Sequence, residues 1–323
     1  LNFNGLEIAP LASQLLHSLI KLPEMSISRN QTHRILVTGA SGQLGVHIVG
    51  ELIGRGITPN IWSGKQKGQI NGLGLEPVAL EDQALVLRRL NELQPTVIIH
   101  AGAMSAADDV RQNPQIGMDI NTFGTKTLAD WANDHGARLI YTSTDLVFDG
   151  TKAMWTEPDE PQPVLEYGRT KAAAEPYVIS AEGGLVVRIS LLYGPTLTGR
   201  PSFFTSTLDA VRQGEARGLF TDEWRTPLDY QTASEVLCDL AIDRPEFTGV
   251  IHLGGPERMS RYELLLRSAK QLGLDTGLIR PALAAETPMP EPRPRDVSLS
   301  TDKLCKILPE RHLRTVEEVV SGI

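Results

Sequence analysis

Tyr167 and Lys171 stand four residues apart in Tyr167-Gly168-Arg169-Thr170-Lys171. On a helix this spacing puts both side chains on one face, a turn apart. A free tyrosine titrates near about 10, so its phenol is a reluctant base at neutral pH. A neighbouring ammonium stabilises phenolate and lowers that value. The pair is read as an acid–base group for a carbonyl or an alcohol, with the lysine also able to bond a ribose. Two unrelated surface residues would give the same spacing, so the pair needs company. Thr142-Ser143-Thr144-Asp145 provides it. These hydroxyls follow an apolar strand pattern and should emerge at the carboxyl end of a sheet, where doubly wound sheets bind ligands. A hydroxyl there can donate to a substrate oxygen as charge develops.

A third group lies earlier, in Thr38-Gly39-Ala40-Ser41-Gly42-Gln43-Leu44-Gly45. Gly39, Gly42 and Gly45 separate a short apolar strand from a helical pattern. The first permits a tight turn, the second lets backbone approach a pyrophosphate, and the third lets helix pack closely on strand. The helix N-terminus then offers free N–H groups and its positive dipole end to phosphate. The loop is read as a dinucleotide site. NAD-binders carry an acid after the second strand for the ribose 2′-hydroxyl. Here that segment is Ile61-Trp62-Ser63-Gly64-Lys65-Gln66-Lys67, without an acid. Ser63, Lys65 and Lys67 could hold a 2′-phosphate, so NADP(H) is favoured and NAD(H) stays open.

The elements needed to position these groups are legible in the periodicity. Strand patterns at 34–38, 60–62, 96–100, 138–141 and 185–189 alternate with helical patterns at 44–54, 81–93, 120–135 and 165–181. Repeated strand–helix–strand units with apolar strands predict an α/β fold: a Rossmann-like, doubly wound parallel sheet covered on both faces. Past Tyr193 proline and glycine rise and the strands shorten. The expected organisation is an N-terminal extension over 1–32, a dinucleotide-binding domain over 33–190 with a return near 231–254, and a smaller substrate lobe from 191–230 and 255–323. Ser260-x-x-Glu263 and Thr315-x-x-Glu318 have capping-box spacing and should start helices. Residues 1–32 are expected to form a surface helix and linker, with Met25 a candidate initiator.

The 323 residues carry a net charge of −8, so no global field attracts nucleic acid or an anionic membrane. No apolar run approaches the roughly 20 residues of a membrane span. Cys238 and Cys305 are read as small buried hydrophobes in a reducing compartment, and a cytoplasmic location is expected. No carboxylate cluster suggests a metal. An anionic substrate would need local arginines. Arg225, Arg293 and Arg295 fall in the expected substrate lobe, where guanidinium forks suit a diphosphate.

Together the glycine loop, Ala101-Gly102-Ala103 after a strand, Asn121 opening a helix, and the Tyr167/Lys171 pair resemble the extended short-chain dehydrogenase/reductases. Within that group, Ser143-Thr144-Asp145-Leu146-Val147-Phe148-Asp149-Gly150 and Arg293-Pro294-Arg295-Asp296-Val297-Ser298-Leu299 are similar to the dTDP-4-dehydrorhamnose reductase family. The resemblance covers roughly residues 33–320. It implies Thr144, Tyr167 and Lys171 as a catalytic triad, with Asn121 placing the lysine through water. Gly39, Ser41, Gly42, Gln43, Leu44, Gly45, Ser63, Lys65, Ala101, Gly102 and Ala103 are the expected cofactor contacts. Ser105, Asp145, Arg225 and Arg293 are the expected substrate contacts. The implied reaction is NAD(P)H-dependent reduction of a 4-keto nucleotide sugar, with a homodimer as the expected assembly.

Leu146 stands where that family carries tyrosine, and Ala79 where it carries an adenine-contacting aspartate. Asp222-Glu223-Trp224-Arg225-Thr226-Pro227 also departs from its usual form. Two alternatives stay open. One is a nucleotide-sugar epimerase. The other is a cofactor-binding regulatory subunit without turnover, since the methionine adenosyltransferase regulatory subunit resembles the same family.

Overall fold

The computed structural model describes residues 33–323; the helix and linker expected over residues 1–32 lie outside the described residues. The chain opens on strand β1 (Ile35–Thr38), helix α1 (Gln43–Gly54) and strand β2 (Asn60–Ser63). A hairpin of β3 (Gly68–Ile70) and β4 (Leu73–Pro77) precedes α2 (Gln83–Leu93) and β5 (Val97–His100). Then come α3 (Gly124–Asp134), β6 (Arg138–Thr144), α4 (Glu166–Ser180) and β7 (Gly184–Ile189). Helices α5 (Phe203–Arg212) and α6 (Tyr230–Cys238) lead to β8 (Gly249–Leu253) and α7 (Arg261–Gln271).

These strands form one sheet in the order β8-β7-β6-β5-β1-β2-β4-β3. Every pairing is parallel except the β3–β4 edge. The sheet is the expected doubly wound Rossmann-like arrangement, and residues 250–253 return to it beside β7. Strand alternation sorts the core. Ile35 and Val37 of β1 point to one face with Ile48, Val49 and Leu52 of α1 and Val236 and Leu237 of α6. Leu36 points to the other, with Val86 and Leu90 of α2, Leu128 and Trp131 of α3 and Val178 of α4. Beyond Tyr193, the residues of α5 and α7 build their own apolar cluster around Phe204, Leu208, Leu264 and Leu265.

Local signals explain the element ends. Asp82 caps α2 by accepting from the Leu85 N–H at 3.0 Å, and Gln94 turns left-handed (φ 48°) just before Pro95. Ser260 and Thr315 both form the capping boxes their spacing predicts. The hairpin β3–β4 was not among the expected strands, because its strands are short, glycine-bearing and mostly half-buried or exposed, with Leu75 the one buried residue. Its turn was nonetheless written in the sequence: Asn71 and Gly72 take φ of 49° and 81°, the primed turn that Asn-Gly favours. Cys238 is buried as expected, whereas Cys305 is exposed. It lies on a six-residue helix (Asp302–Ile307) whose buried residue is Leu304, so the next position turns outward.

Strand order reverses between β1 and β5, and the glycine loop lies over this divide. Gly39 has φ +68°, and a Cβ on it would lie 2.5 Å from the Gly102 N. A Cβ on Gly45 would lie 2.2 Å from the Gly39 carbonyl oxygen. Helix α1 therefore sits as close to β1 as backbone allows. Gly45→Ala is expected to destabilise the fold by about 1–3 kcal/mol through overpacking and to weaken dinucleotide binding. Urea unfolding and cofactor-fluorescence titration check this; wild-type values in both would contradict it.

Candidate active site

The carboxyl ends of β1, β5 and β6, the start of α4 and residues of the later lobe enclose a cleft of about 550 Å³. Gly39, Gly42, Gln43, Leu44 and Gly45 line one side, and Thr144, Asp145, Tyr167 and Lys171 line another. Arg225, Arg261 and Arg293 close the far end. A second cavity of about 530 Å³ continues past the glycine loop to Ser41, Ser63 and Lys65. Gly39, Gly42, Ala101, Ala103 and Ser105 line both, and Gly102 lines the second. The expected cofactor and substrate contacts thus converge on one continuous groove, with Asn121 the exception.

Helix α1 begins at Gly42 without a side-chain cap and without an acid in its first turn. Its first N–H groups face the groove unscreened, as a pyrophosphate requires. Below the loop a directed hydrogen-bond chain fixes β5 against β1. The Gly102 N–H donates to Thr38 Oγ1 (3.1 Å), which bonds His100 Nδ1 (2.6 Å), while His100 Nε2 bonds Thr125 Oγ1 (2.9 Å). Thr125 Oγ1 donates to the Asn121 carbonyl at 2.6 Å. Because both threonines act as acceptor on one side and donor on the other, the chain assigns the proton to Nε2. Burial, and then the charge of Lys171, lower the His100 pKa to about 3, so the ring is neutral.

Of the three consecutive hydroxyls, two are structural. Thr142 Oγ1 donates to the His100 carbonyl (3.1 Å), and Ser143 Oγ to Glu175 Oε1 (2.6 Å). All three line the cleft, and Thr144 accepts from the Leu146 N–H and donates to Asp145 Oδ1, each at 3.2 Å. Lys171 is 1% exposed, its Nζ 4.2 Å above the centre of the Tyr141 ring. The ring face favours the cation. Burial nonetheless lowers the Lys171 pKa to about 7, against the opposing charge of Glu175. Tyr167 behaves opposite to the expectation. Burial, and then the negative charge of Asp145, push its pKa above the ordinary value, so the phenol stays protonated at neutral pH. Asn121 is held by direct bonds to protein groups. It lies in a π-helical turn (Asp119–Phe123), and its amide bonds Met104 on both sides and donates to Thr170 Oγ1 at 2.9 Å. Its carbonyl accepts from Thr125 Oγ1 and keeps a second lone pair. Asn121 therefore ties the segment after β5 to α4 and does not line the cleft.

At the far end Asp145 is buried, accepts from Ser190 Oγ at 3.1 Å, and lies 3.4 Å from Arg225 Nε. Its pKa is raised by burial, with Arg225 opposing. Arg293 pairs with buried Glu223 at 3.0 Å. Arg295 lies in a separate groove beside Asp222. Arg261 was not among the expected contacts. It is the first residue of α7, lies 4.4 Å over the Phe203 ring, and its Nε has no partner among the described residues. Burial and then Arg225 and Arg293 lower its pKa to about 10. Such crowding of cations is relieved by an anion. The available signal was its place directly after the Ser260 cap, which fixes the direction in which the side chain leaves the helix.

A family model describing the RmlD substrate binding domain matches residues 33–321. The chain belongs to that family, within the extended short-chain dehydrogenase/reductases. It is similar to methionine adenosyltransferase 2 subunit beta of Rattus norvegicus, with 30% identity over 93% of this chain and 87% of that one. It is also similar to a probable low-salt glycan biosynthesis reductase of Haloferax volcanii, with 30% identity over 80% of this chain and 87% of that one. A dTDP-4-dehydrorhamnose reductase structure from Clostridium acetobutylicum superposes with a TM-score of 0.77 at 26% identity, covering 90% of this chain and 97% of that one. No helix among the described residues is long and apolar enough to cross a membrane.

Lys171 carries charge below about pH 7 and loses it above. If its ammonium holds a ribose, dinucleotide affinity should weaken as pH rises through that value. Lys171→Met should bind more weakly and without pH dependence between pH about 6 and 9. Fluorescence titration across pH checks both, and a flat wild-type profile would contradict the assignment.

Proposed function

We propose that this family member is an NADPH-dependent reductase of a 4-keto nucleotide sugar. The observation carrying this reading is the convergence of Thr144, Tyr167 and Lys171 on one groove that begins at an uncapped helix N-terminus and ends among Arg225, Arg261 and Arg293. The glycine loop and helix α1 would hold the pyrophosphate, Lys171 the nicotinamide ribose, and the arginines the substrate diphosphate. A bound reduced nicotinamide supplies the hydride to a ketone carbon.

The protein's own part is proton transfer and alignment. The Tyr167 phenol, protonated at neutral pH, donates its proton to the carbonyl oxygen as negative charge builds there. Thr144 reorients its hydroxyl from Asp145 to that oxygen, which shortens the list of bonds it must break to a single one. Asp145, between Ser190 and Arg225, anchors the hydroxyl until substrate arrives. Leu146 at the cleft wall presents an apolar surface where a dehydratase needs a second acid, which supports reduction over dehydration.

A second reading is supported by the similarity to methionine adenosyltransferase 2 subunit beta over 93% of the chain. Here the protein serves as a regulatory subunit that binds dinucleotide without turnover. Incubation with NADPH and a panel of 4-keto nucleotide sugars separates the two, with NADH alongside. The reductase oxidises cofactor in proportion to sugar. Tyr167→Phe should lower that rate by roughly 10²–10⁴-fold while binding NADPH as the wild type does. No oxidation on any sugar, together with co-elution with a methionine adenosyltransferase catalytic subunit, would establish the subunit role instead.

A further inference from the structure

The turn after β2, where a 2′-phosphate was expected to bind, is electrostatically spent. Ser63 is buried and its hydroxyl donates to the Gln66 carbonyl at 2.5 Å, leaving only acceptor lone pairs for a ligand. Lys65 faces the Glu81 carboxylate at 3.5 Å, and both line the cavity past the glycine loop. That pair brings no net positive charge to the cavity. Lys67 lines a neighbouring groove, not this cavity. A phosphate monoester with nearly two negative charges would find little here to offset Glu81.

A cation arrives from the other side. The segment after Tyr193 passes over the start of α1 and is clasped there by one side chain. Gln43 Nε2 donates to the Arg200 carbonyl at 2.6 Å, and Gln43 Oε1 accepts from the Leu197 N–H at 3.2 Å. Gln43 is the first residue of α1, so this two-point clasp fixes the segment's register against the glycine loop. Arg200 lines the cavity shared by Ser41, Trp62, Ser63 and Lys65 and also the adjoining groove of Lys67, and does not line the cleft that holds Tyr167. Its guanidinium has no carboxylate or carbonyl partner among the described residues.

We infer that Arg200 reads the adenosine 2′-phosphate of the dinucleotide and sets the choice of NADP(H) over NAD(H). This rests on the proposed NADPH preference and assigns it to a residue of the overhanging segment instead of the β2 turn. A guanidinium fork matches two phosphate oxygens at once and keeps its charge at any working pH. Lys65 meanwhile neutralises Glu81, which would otherwise repel the same phosphate. A cation placed at the pyrophosphate would strengthen both cofactors equally. One placed beside the end of β2 acts only on the cofactor that carries the extra phosphate.

The test measures Kd for NADPH, NADH, adenosine 2′,5′-bisphosphate and AMP on wild type, Arg200→Gln and Lys65→Ala, with thermal unfolding to confirm that each variant is folded. Wild type should prefer NADPH over NADH and the bisphosphate over AMP. Arg200→Gln should lose roughly 10- to 100-fold in NADPH and bisphosphate affinity, the range expected for hydrogen bonds to a charged group, with NADH and AMP unchanged. Lys65→Ala uncovers Glu81 and should lower NADPH and bisphosphate affinity by less than Arg200→Gln does, with the preference reduced but kept. Equal loss for NADPH and NADH in Arg200→Gln, or a preference that survives there and disappears in Lys65→Ala, overturns the assignment to Arg200. A wild type that favours NADH overturns the cofactor reading itself, before any variant is considered.

Discussion

Backbone meets backbone at the divide between β1 and β5, and the rest of the groove depends on that contact. Gly39 turns left-handed against Ala101 and Gly102, while Gly45 presses on the Gly39 carbonyl. Neither contact leaves room for a Cβ. The consequence is geometric: the N-terminus of α1 reaches the carboxyl edge of the sheet, and its free N–H groups open into the groove. The hydrogen-bond chain from Gly102 through Thr38, His100 and Thr125 to Asn121 carries this placement sideways. Asn121 then hands it to α4 through Thr170. The glycine loop and the Tyr167/Lys171 helix are thereby parts of one rigid construction, although they lie far apart in sequence. A buried imidazole that stays neutral is well suited to such a link, since it gives and accepts one bond without adding charge beneath Lys171.

Charge in the groove is arranged against the protein's overall balance. The chain is acidic, yet Arg225, Arg261 and Arg293 crowd the far end of the cleft. Burial first, and then their mutual repulsion, only partly met by Asp145 and Glu223, lower the pKa of Arg261. Exposed carboxylates elsewhere act through water and are screened, whereas these few side chains act across desolvated distances. Net charge is therefore a poor guide to what such a groove attracts.

Regular elements were legible because burial imposes period. β1, β5 and β7 are buried on both faces, so their apolar runs stand out, and the capping boxes at Ser260 and Thr315 carry their own hydrogen-bond logic. Thr144 could be placed because it ends a predictable strand, and Tyr167 and Lys171 because they share the first turns of a predictable helix. What escaped was set by tertiary contact. The sign of the Tyr167 shift depends on burial and on Asp145, which no spacing of tyrosine and lysine encodes. Asn121 looks the same in sequence whether its amide reaches toward a lysine or, as here, toward Met104 and Thr170. Arg261 and Arg200 enter the groove from segments that become its neighbours only after the chain has folded back.

Lys171 bears on the choice between turnover and a purely binding role. An ammonium that is 1% exposed is costly, and the fall of its pKa to about 7 measures how poorly burial suits the charge. The Tyr141 face and Glu175 recover only part of that cost, and Glu175 is itself engaged by Arg188 at 2.7 Å. An apolar side chain of similar length at this position would pack against Tyr141 without desolvating a charge. A groove that merely recognised a dinucleotide could hold its ribose through neutral hydroxyls or amides, which are cheaper to bury. Retaining an ammonium one helical turn from a protonated phenol makes physical sense where charge changes during a reaction, because the ammonium stabilises the phenolate left when the proton departs. The buried lysine thus supports turnover more strongly than the glycine loop does, since the loop would look the same in an enzyme and in a regulatory subunit.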